Sequence, residues 1–158
     1  MEPSPPYMPG YGVTSENLLP WSWAEEHLAA ARNYWVSSVW PDGRPHAMPV
    51  WGAWHQSAVW FTSGGRSRKV QNLRANPRCV VTTEDAVDPV VVEGIAEVVT
   101  DLGVITELIG ILNAKYEDSY TVEFLDPAVN ATVRVLPQKV FALRHDDFTG
   151  SPTRWTLP

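Results

Sequence analysis

From Tyr34 to Leu143 the chain is dominated by short apolar runs, each closed by a turn signal, and a 3.6-residue period surfaces in few places. Tyr34–Trp40 is rich in β-branched and aromatic residues and predicts a strand. Pro41-Asp42-Gly43 then supplies a turn, with proline presetting φ and glycine accepting positive φ. His46–Trp54 predicts the returning strand. Pro49 within it lacks a ladder donor, so this strand should be an edge or carry a bulge. His55-Gln56-Ser57 turns into a third strand, Ala58–Thr62, and Ser63-Gly64-Gly65 breaks it. Ser67 to Ala75 is helical, with Val70 and Leu73 spaced to face a core, and Asn76-Pro77 ends it. Cys79–Thr83 and Pro89–Thr100 predict two more strands joined by an acidic turn. Asp101 is placed to cap a helix to about Tyr116, because Leu102, Ile105, Leu108, Ile109 and Leu112 share one face. Residues 117–130 read as loop, and Ala131–Leu136 with Lys139–Leu143 as a final strand pair. Near the start, Ser22-Trp23-Ala24-Glu25 matches a capping box for a short helix to about Arg32.

The order is helix, three strands, short helix, two strands, helix, two strands. Neighbouring strands follow one another directly, which predicts a mainly β fold with an antiparallel sheet closed into a barrel to remove its edges. A doubly wound sheet is excluded, since strands and helices do not alternate and G-x-G-x-x-G is absent. The 158 residues suit one domain. Residues 1–20, rich in Pro and Gly, predict an extended arm anchored by Tyr7 and Tyr11, ahead of a single domain over 21–158. No apolar run reaches the roughly 18 residues of a membrane span. The start has neither a basic nor an apolar region of the secretory kind, so a cytoplasmic protein is expected. Cys79, the one cysteine, excludes an intrachain disulfide and reads as a buried, inert thiol.

Charge changes this picture. The net charge of −6 conceals a segregation: Gly43 to Thr83 holds no Asp or Glu but six cations, Arg44, Arg66, Arg68, Lys69, Arg74 and Arg78. Either this is a solvated basic face, or it is a focused anion site on an acidic protein. A small phosphorylated ligand fits the second reading better than single-stranded nucleic acid, which the overall negative charge disfavours. Trp60-Phe61-Thr62-Ser63-Gly64-Gly65-Arg66-Ser67-Arg68-Lys69 is the most informative segment. It delivers hydroxyls, turn glycines and three cations to a helix start, where free N–H groups already favour an anion. It is not a Walker A loop. The four histidines lack metal-ligand spacing; His46 could donate to a ligand, or be a half-exposed strand residue. No nucleophile elbow is present. Without an evident acid, base or nucleophile, a bound cofactor would have to supply the reactivity. Most of the eight tryptophans should be core or dimer contact, with one or two free to flank a flat heterocycle.

The run from Trp35 to Val99 resembles the pyridoxamine 5′-phosphate oxidase-like superfamily of flavin-binding split β-barrels. The matching residues are Pro41-Asp42-Gly43-Arg44-Pro45-His46, Pro49-Val50-Trp51, Phe61-Thr62, Arg66-Ser67-Arg68-Lys69, Asn72-Leu73, Asn76-Pro77-Arg78 and the valine-rich Val90–Gly94 leading to Ala96-Glu97. Thr153-Arg154-Trp155 is similar to a tail of the actinobacterial branch, although Thr156-Leu157 follows where relatives often place another arginine. The resemblance implies a homodimer of split barrels with cofactor sites at the interface, binding coenzyme F420 or FMN. It implies that Arg66, Ser67, Arg68 and Lys69 hold the cofactor phosphate, that Phe61 and Thr62 lie beside it, and that His46, Pro49, Val50 and Trp51 border the ring. The substrate-recognition residues of pyridoxamine phosphate oxidases are not evident. The implied function is an oxidoreductase passing hydride between reduced deazaflavin and a small organic acceptor. FMN-dependent oxidoreduction and a non-catalytic flavin or haem carrier are the alternatives.

Overall fold

A computed structural model describes residues 1–158. Seven strands form one antiparallel sheet: β1 (Asn33–Val39), β2 (Pro45–His55), β3 (Ala58–Gly64), β4 (Arg78–Thr83), β5 (Val90–Val99), β6 (Asn130–Ala142) and β7 (Thr153–Thr156). Their order is β3-β2-β1-β4-β5-β6-β7. A further β3–β6 pairing, Val59–Gly64 against Asn130–Val135, closes six of them into a barrel. The antiparallel barrel expected from the sequence is therefore present. Its interior is filled by alternate residues of every strand, among them Val36, Val50, Val59, Phe61, Val81, Val92, Val133 and Val140. Valine recurs because a β-branched side chain packs well on a pleated surface. Helix α1 (Trp21–Ala30) adds Ala24 and Leu28 to this core, and α2 (Arg68–Ala75) adds Val70 and Leu73. Helix α3 (Leu102–Tyr116) packs outside the barrel, with Leu108 against Ala58 and Trp60 of β3. None of the helices is long and apolar enough to cross a membrane.

Several local expectations are met. Gly43 takes φ 88° in the first hairpin turn. Gln56 and Ser57 both have positive φ (48° and 56°), the left-handed pair that matches hairpin twist. Asp101 caps α3 by accepting from the Val104 N–H at 3.0 Å. Burial pushes the Cys79 thiol up to about 12, as an inert core thiol requires.

Others are corrected. Helix α1 begins at Trp21 after Pro20, and no side chain caps it, so Ser22 lies inside the first turn and the capping box is not formed. Ala131–Leu136 and Lys139–Leu143 are not a strand pair but one 13-residue strand, β6. The Pro137-Gln138 pair between the two expected strands is a bulge. Gly94 faces Pro137 and Glu93 faces Lys139, leaving Gln138 unpaired in the register. Gly94 is required there, because a Cβ would stand 2.6 Å from the Leu136 carbonyl. The tail contains a strand with no sequence signal of its own, β7, which pairs with Lys139–Ala142 and buries Trp155 completely. Tyr7 does not anchor the arm, being 88% exposed, and Tyr11, 86% exposed, makes only an edge contact with Phe148 at 6.3 Å between centroids. The arm is held instead by its backbone, through Ser4 paired with Arg154 and Thr14 and Ser15 bonded to the Thr149 carbonyl, and by buried Leu19.

Candidate cofactor cleft

Strands β2 and β3 pair only through Gly52–His55 and Ala58–Phe61. Beyond that point β2 keeps β1 alone as a partner and β3 turns to β6, so the two strands part. Pro49 lies in the half of β2 with a partner on one side only, where its missing N–H costs no ladder bond. It is a local edge, and the β1–β2 register continues through it without a bulge. The opening between the strands is a cleft of about 320 Å³. Pro49, Val50, Trp51 and Thr62 line its strand side, and Lys69 of α2 stands at its polar end. The opposite lining comes from α3, with Asn113 and Tyr116, and from the segment after it, with Tyr120 and Phe124.

The polar end is organised around hydroxyls. Lys69 Nζ donates to Ser63 Oγ at 2.9 Å, and Ser63 Oγ lies 3.0 Å from Ser67 Oγ. Burial holds the Lys69 ammonium below its ordinary value. Lys69 has no carboxylate partner; the five ion pairs of the chain are elsewhere. The first bond of α2 runs from the Gln71 N–H to the Ser67 carbonyl, so the amides of residues 68–70 have no helical acceptor. An unpaired, partly desolvated cation beside a hydroxyl pair and a helix start suits an anion.

The apolar end is aromatic. Trp51 and Tyr116 stack face to face, with centroids 4.4 Å apart and an interplanar angle of 10°. Tyr116 is fixed from behind: its hydroxyl donates to the Arg32 carbonyl and accepts from the Gly52 N–H at 2.9 Å. Lys115 clamps the same corner, donating to the Ala31 and Gly52 carbonyls at 2.6 Å each. Burial draws the Lys115 ammonium down to about 8, against the opposing pull of Glu84.

The sequence candidates therefore separate. Pro49, Val50, Trp51, Thr62 and Lys69 meet in the cleft. Phe61 does not: alternation along β3 turns its side chain into the barrel, where it is fully buried. Arg66 and Ser67 line a separate groove with Gly65 and Arg74. Arg68 lies over the Trp40 ring at 3.9 Å, in the corner that also holds Arg44 and His46. His46 is half-buried there, with Nδ1 enclosed and unpartnered. Arg74 is exposed but donates to the Gly65 carbonyl at 2.9 Å, bracing the turn before α2. Asn113, Tyr116, Tyr120 and Phe124 escaped the sequence reading, because α3 reads as a packing helix and the following loop has no periodicity.

Residues 24–145 match the family model for pyridoxamine 5′-phosphate oxidase. The chain belongs to this family. No match was found among curated protein sequences. Among solved structures it is similar to a conserved hypothetical protein from Mycobacterium tuberculosis, with a TM-score of 0.72 and 22% identity over 84% of this chain and 89% of that one. An F420 reductase matches with a TM-score of 0.61 and 26% identity, over 73% of this chain and 94% of its own. A NimC/NimA family protein from Clostridium acetobutylicum shares the fold at 13% identity, with a TM-score of 0.68 over 86% and 91%. The split barrel and the pyridoxamine 5′-phosphate oxidase-like family, one that binds flavin-type cofactors, are thus shown. The cleft's residues fit such a cofactor: a half-buried cation and hydroxyls at one end, and apolar, aromatic surface beyond.

Proposed function

We propose that the protein is an oxidoreductase that uses the deazaflavin coenzyme F420 to reduce a small organic acceptor. The observation that carries this reading is Lys69, the one charged residue lining an otherwise uncharged, mostly apolar and aromatic cleft at the strand split. Lys69, Ser63 and the first amides of α2 would bind the cofactor's phosphate. Pro49, Val50 and Trp51 would border its ring, with Thr62 beside it. Arg68, a turn away on Trp40, would meet more distant acidic groups. Bound reduced deazaflavin supplies a hydride and, as it is oxidised, a proton, so the acceptor gains two electrons and two protons overall. The chain's contribution is orientation and exclusion of water by the aromatic walls. Similarity to the F420 reductase supports this cofactor over FMN.

A homodimer completes the reading. Trp35, Val39, Pro45, Ala47 and Pro49 are exposed neighbours on one face of the β1–β2 pair, an apolar patch beside the cleft mouth. A second copy would cover it and border the cofactor. The test is a fluorescence titration of the purified chain with F420 and FMN side by side. Tighter F420 binding is expected. Equal or tighter FMN binding reverses the cofactor assignment, and binding of neither removes the proposal.

A further inference from the structure

We infer that the helical side of the cleft is a binding site for a neutral, flat aromatic molecule, and that Asn113 is the positioning residue that holds its wall. This rests on the oxidoreductase reading, in which that molecule is the acceptor. Tyr120 and Phe124 stack with centroids 4.3 Å apart and an interplanar angle of 19°. Phe124 remains 54% exposed, a large apolar surface on the cleft with nothing to cover it. The chain around this pair has no long element to stiffen it, only one 3₁₀ turn at Val122–Leu125. Asn113 supplies the rigidity. Its Nδ2 donates to the Tyr120 carbonyl at 2.8 Å, and its Oδ1 accepts from the Tyr120 N–H at 2.9 Å. One side chain on α3 thus satisfies both backbone groups of Tyr120, as a neighbouring strand would.

Charge selects the ligand. Lys69 is the sole charged lining residue, and the cofactor anion would occupy it. Asp118 beside Tyr120 holds that phenol above its ordinary value, and burial does the same for Tyr116, so both tyrosines stay neutral. The segment carrying the wall, residues 117–126, contains Glu117, Asp118, Glu123 and Asp126 and no base. An anionic acceptor would meet this acidic rim, and with Lys69 taken by the cofactor the lining has no carboxylate to pair with a cationic one. Flat aromatic surface with neutral polar groups is what remains.

The test uses the full chain, with and without saturating F420, and two probes sharing one naphthalene ring, neutral 2-naphthol and anionic naphthalene-2-sulfonate. Dissociation constants come from saturation-transfer NMR. In the F420-loaded protein the neutral probe should bind at least tenfold tighter than the sulfonate. Phe124→Ala should weaken neutral-probe binding about tenfold without moving the melting temperature, since that ring is half in solvent. Asn113→Ala should weaken it equally, while F420 affinity stays within threefold of wild type. Asn113→Asp, which keeps the acceptor and loses the donor, should recover part of the loss. Tighter binding of the sulfonate overturns the inference, as does wild-type probe binding by both alanine variants. If no cofactor binds but the neutral probe still distinguishes these variants, the oxidoreductase reading falls and the aromatic site stands.

Discussion

Replacing Lys69 by alanine removes the one cation lining the cleft and should separate a built anion site from a generally basic surface. In the free protein its ammonium is already partly desolvated and bonded to a single hydroxyl at 2.9 Å. Part of the cost of burying the charge is therefore met on folding, and a ligand anion gains nearly the full charge-assisted bond. Such bonds contribute about 1.5–3 kcal/mol, and this preorganisation argues for the upper half, about 2–3 kcal/mol. Cofactor affinity should fall roughly 30- to 150-fold. By contrast, an exposed cation about 10 Å from the phosphate contributes at most about 0.4 kcal/mol in water, a factor of roughly two before salt screening. Arg66→Ala, in the neighbouring groove, should show that smaller effect, and Arg144→Ala, exposed and paired with Asp146, should show none. The pH dependence adds a second signature. Anion binding favours the charged ammonium, so affinity declines as pH rises through the free-state Lys69 value. Burial holds that value below an ordinary lysine's 10.5, so the decline begins at lower pH than an exposed lysine would give. Lys69→Ala should abolish that decline. Fluorescence titrations of the three variants across pH decide it. Equal losses for Lys69→Ala and Arg66→Ala would refute the cleft assignment in favour of a diffuse basic field.

Four further outcomes follow from the structure. A Cβ on Gly52 would stand 2.5 Å from the Trp60 carbonyl, so Gly52→Ala should cost about 1–3 kcal/mol and lower the melting temperature by roughly 2–12 °C. Gly110, exposed in α3 with nothing within 4 Å of its Cβ direction, should instead gain up to about 1 kcal/mol when changed to alanine. Lys115 has its folded value drawn to about 8, below the ordinary 10.5 it keeps when unfolded. The unfolded chain therefore binds more protons between those values, and the stability of wild type relative to Lys115→Met should rise with pH across that window in urea unfolding; a flat or falling difference would contradict it. On the proposed homodimer, wild type should sediment at about twice 17.6 kDa, and Trp35→Glu, which places a charge in the apolar face of the β1–β2 pair, should sediment as the monomer.

How far the sequence led depended on how local each signal was. Turns were legible because proline, glycine and left-handed pairs act within four residues. The first five strands were legible because their cores alternate or run continuously. The continuity of β6 across Pro137-Gln138 was not legible, because only the partner strand, with Gly94 giving way, makes that position a bulge. Strand β7 was invisible because four residues of mixed character become a strand only beside Lys139–Ala142. The aromatic wall was missed for the same reason: Tyr120 and Phe124 lie in a loop, and Asn113 sits on a helix whose apolar stripe draws attention elsewhere.

The cation run shows most directly where sequence proximity and spatial proximity part. Arg66, Ser67, Arg68 and Lys69 are consecutive, and a single phosphate site for all four is the natural reading of the string. They straddle the start of α2, however, and from Arg68 onward successive side chains turn by about 100°. Four neighbours in such a position cannot face one way. Arg66 enters the side groove, Arg68 settles on the Trp40 ring, Ser67 turns its hydroxyl to Ser63, and Lys69 is the one cation that reaches the cleft. The dispersal has a chemical consequence. Gathered in one place, four donors would make a strongly cationic pocket suited to any polyanion. Spread out, they leave one desolvated cation at the end of an uncharged aromatic cleft, which can fix one anionic group of a large ligand while the rest of the site responds to shape. A cofactor with a phosphate at one end and a flat ring at the other meets both requirements at once, and a free phosphate ester without a ring meets only the first.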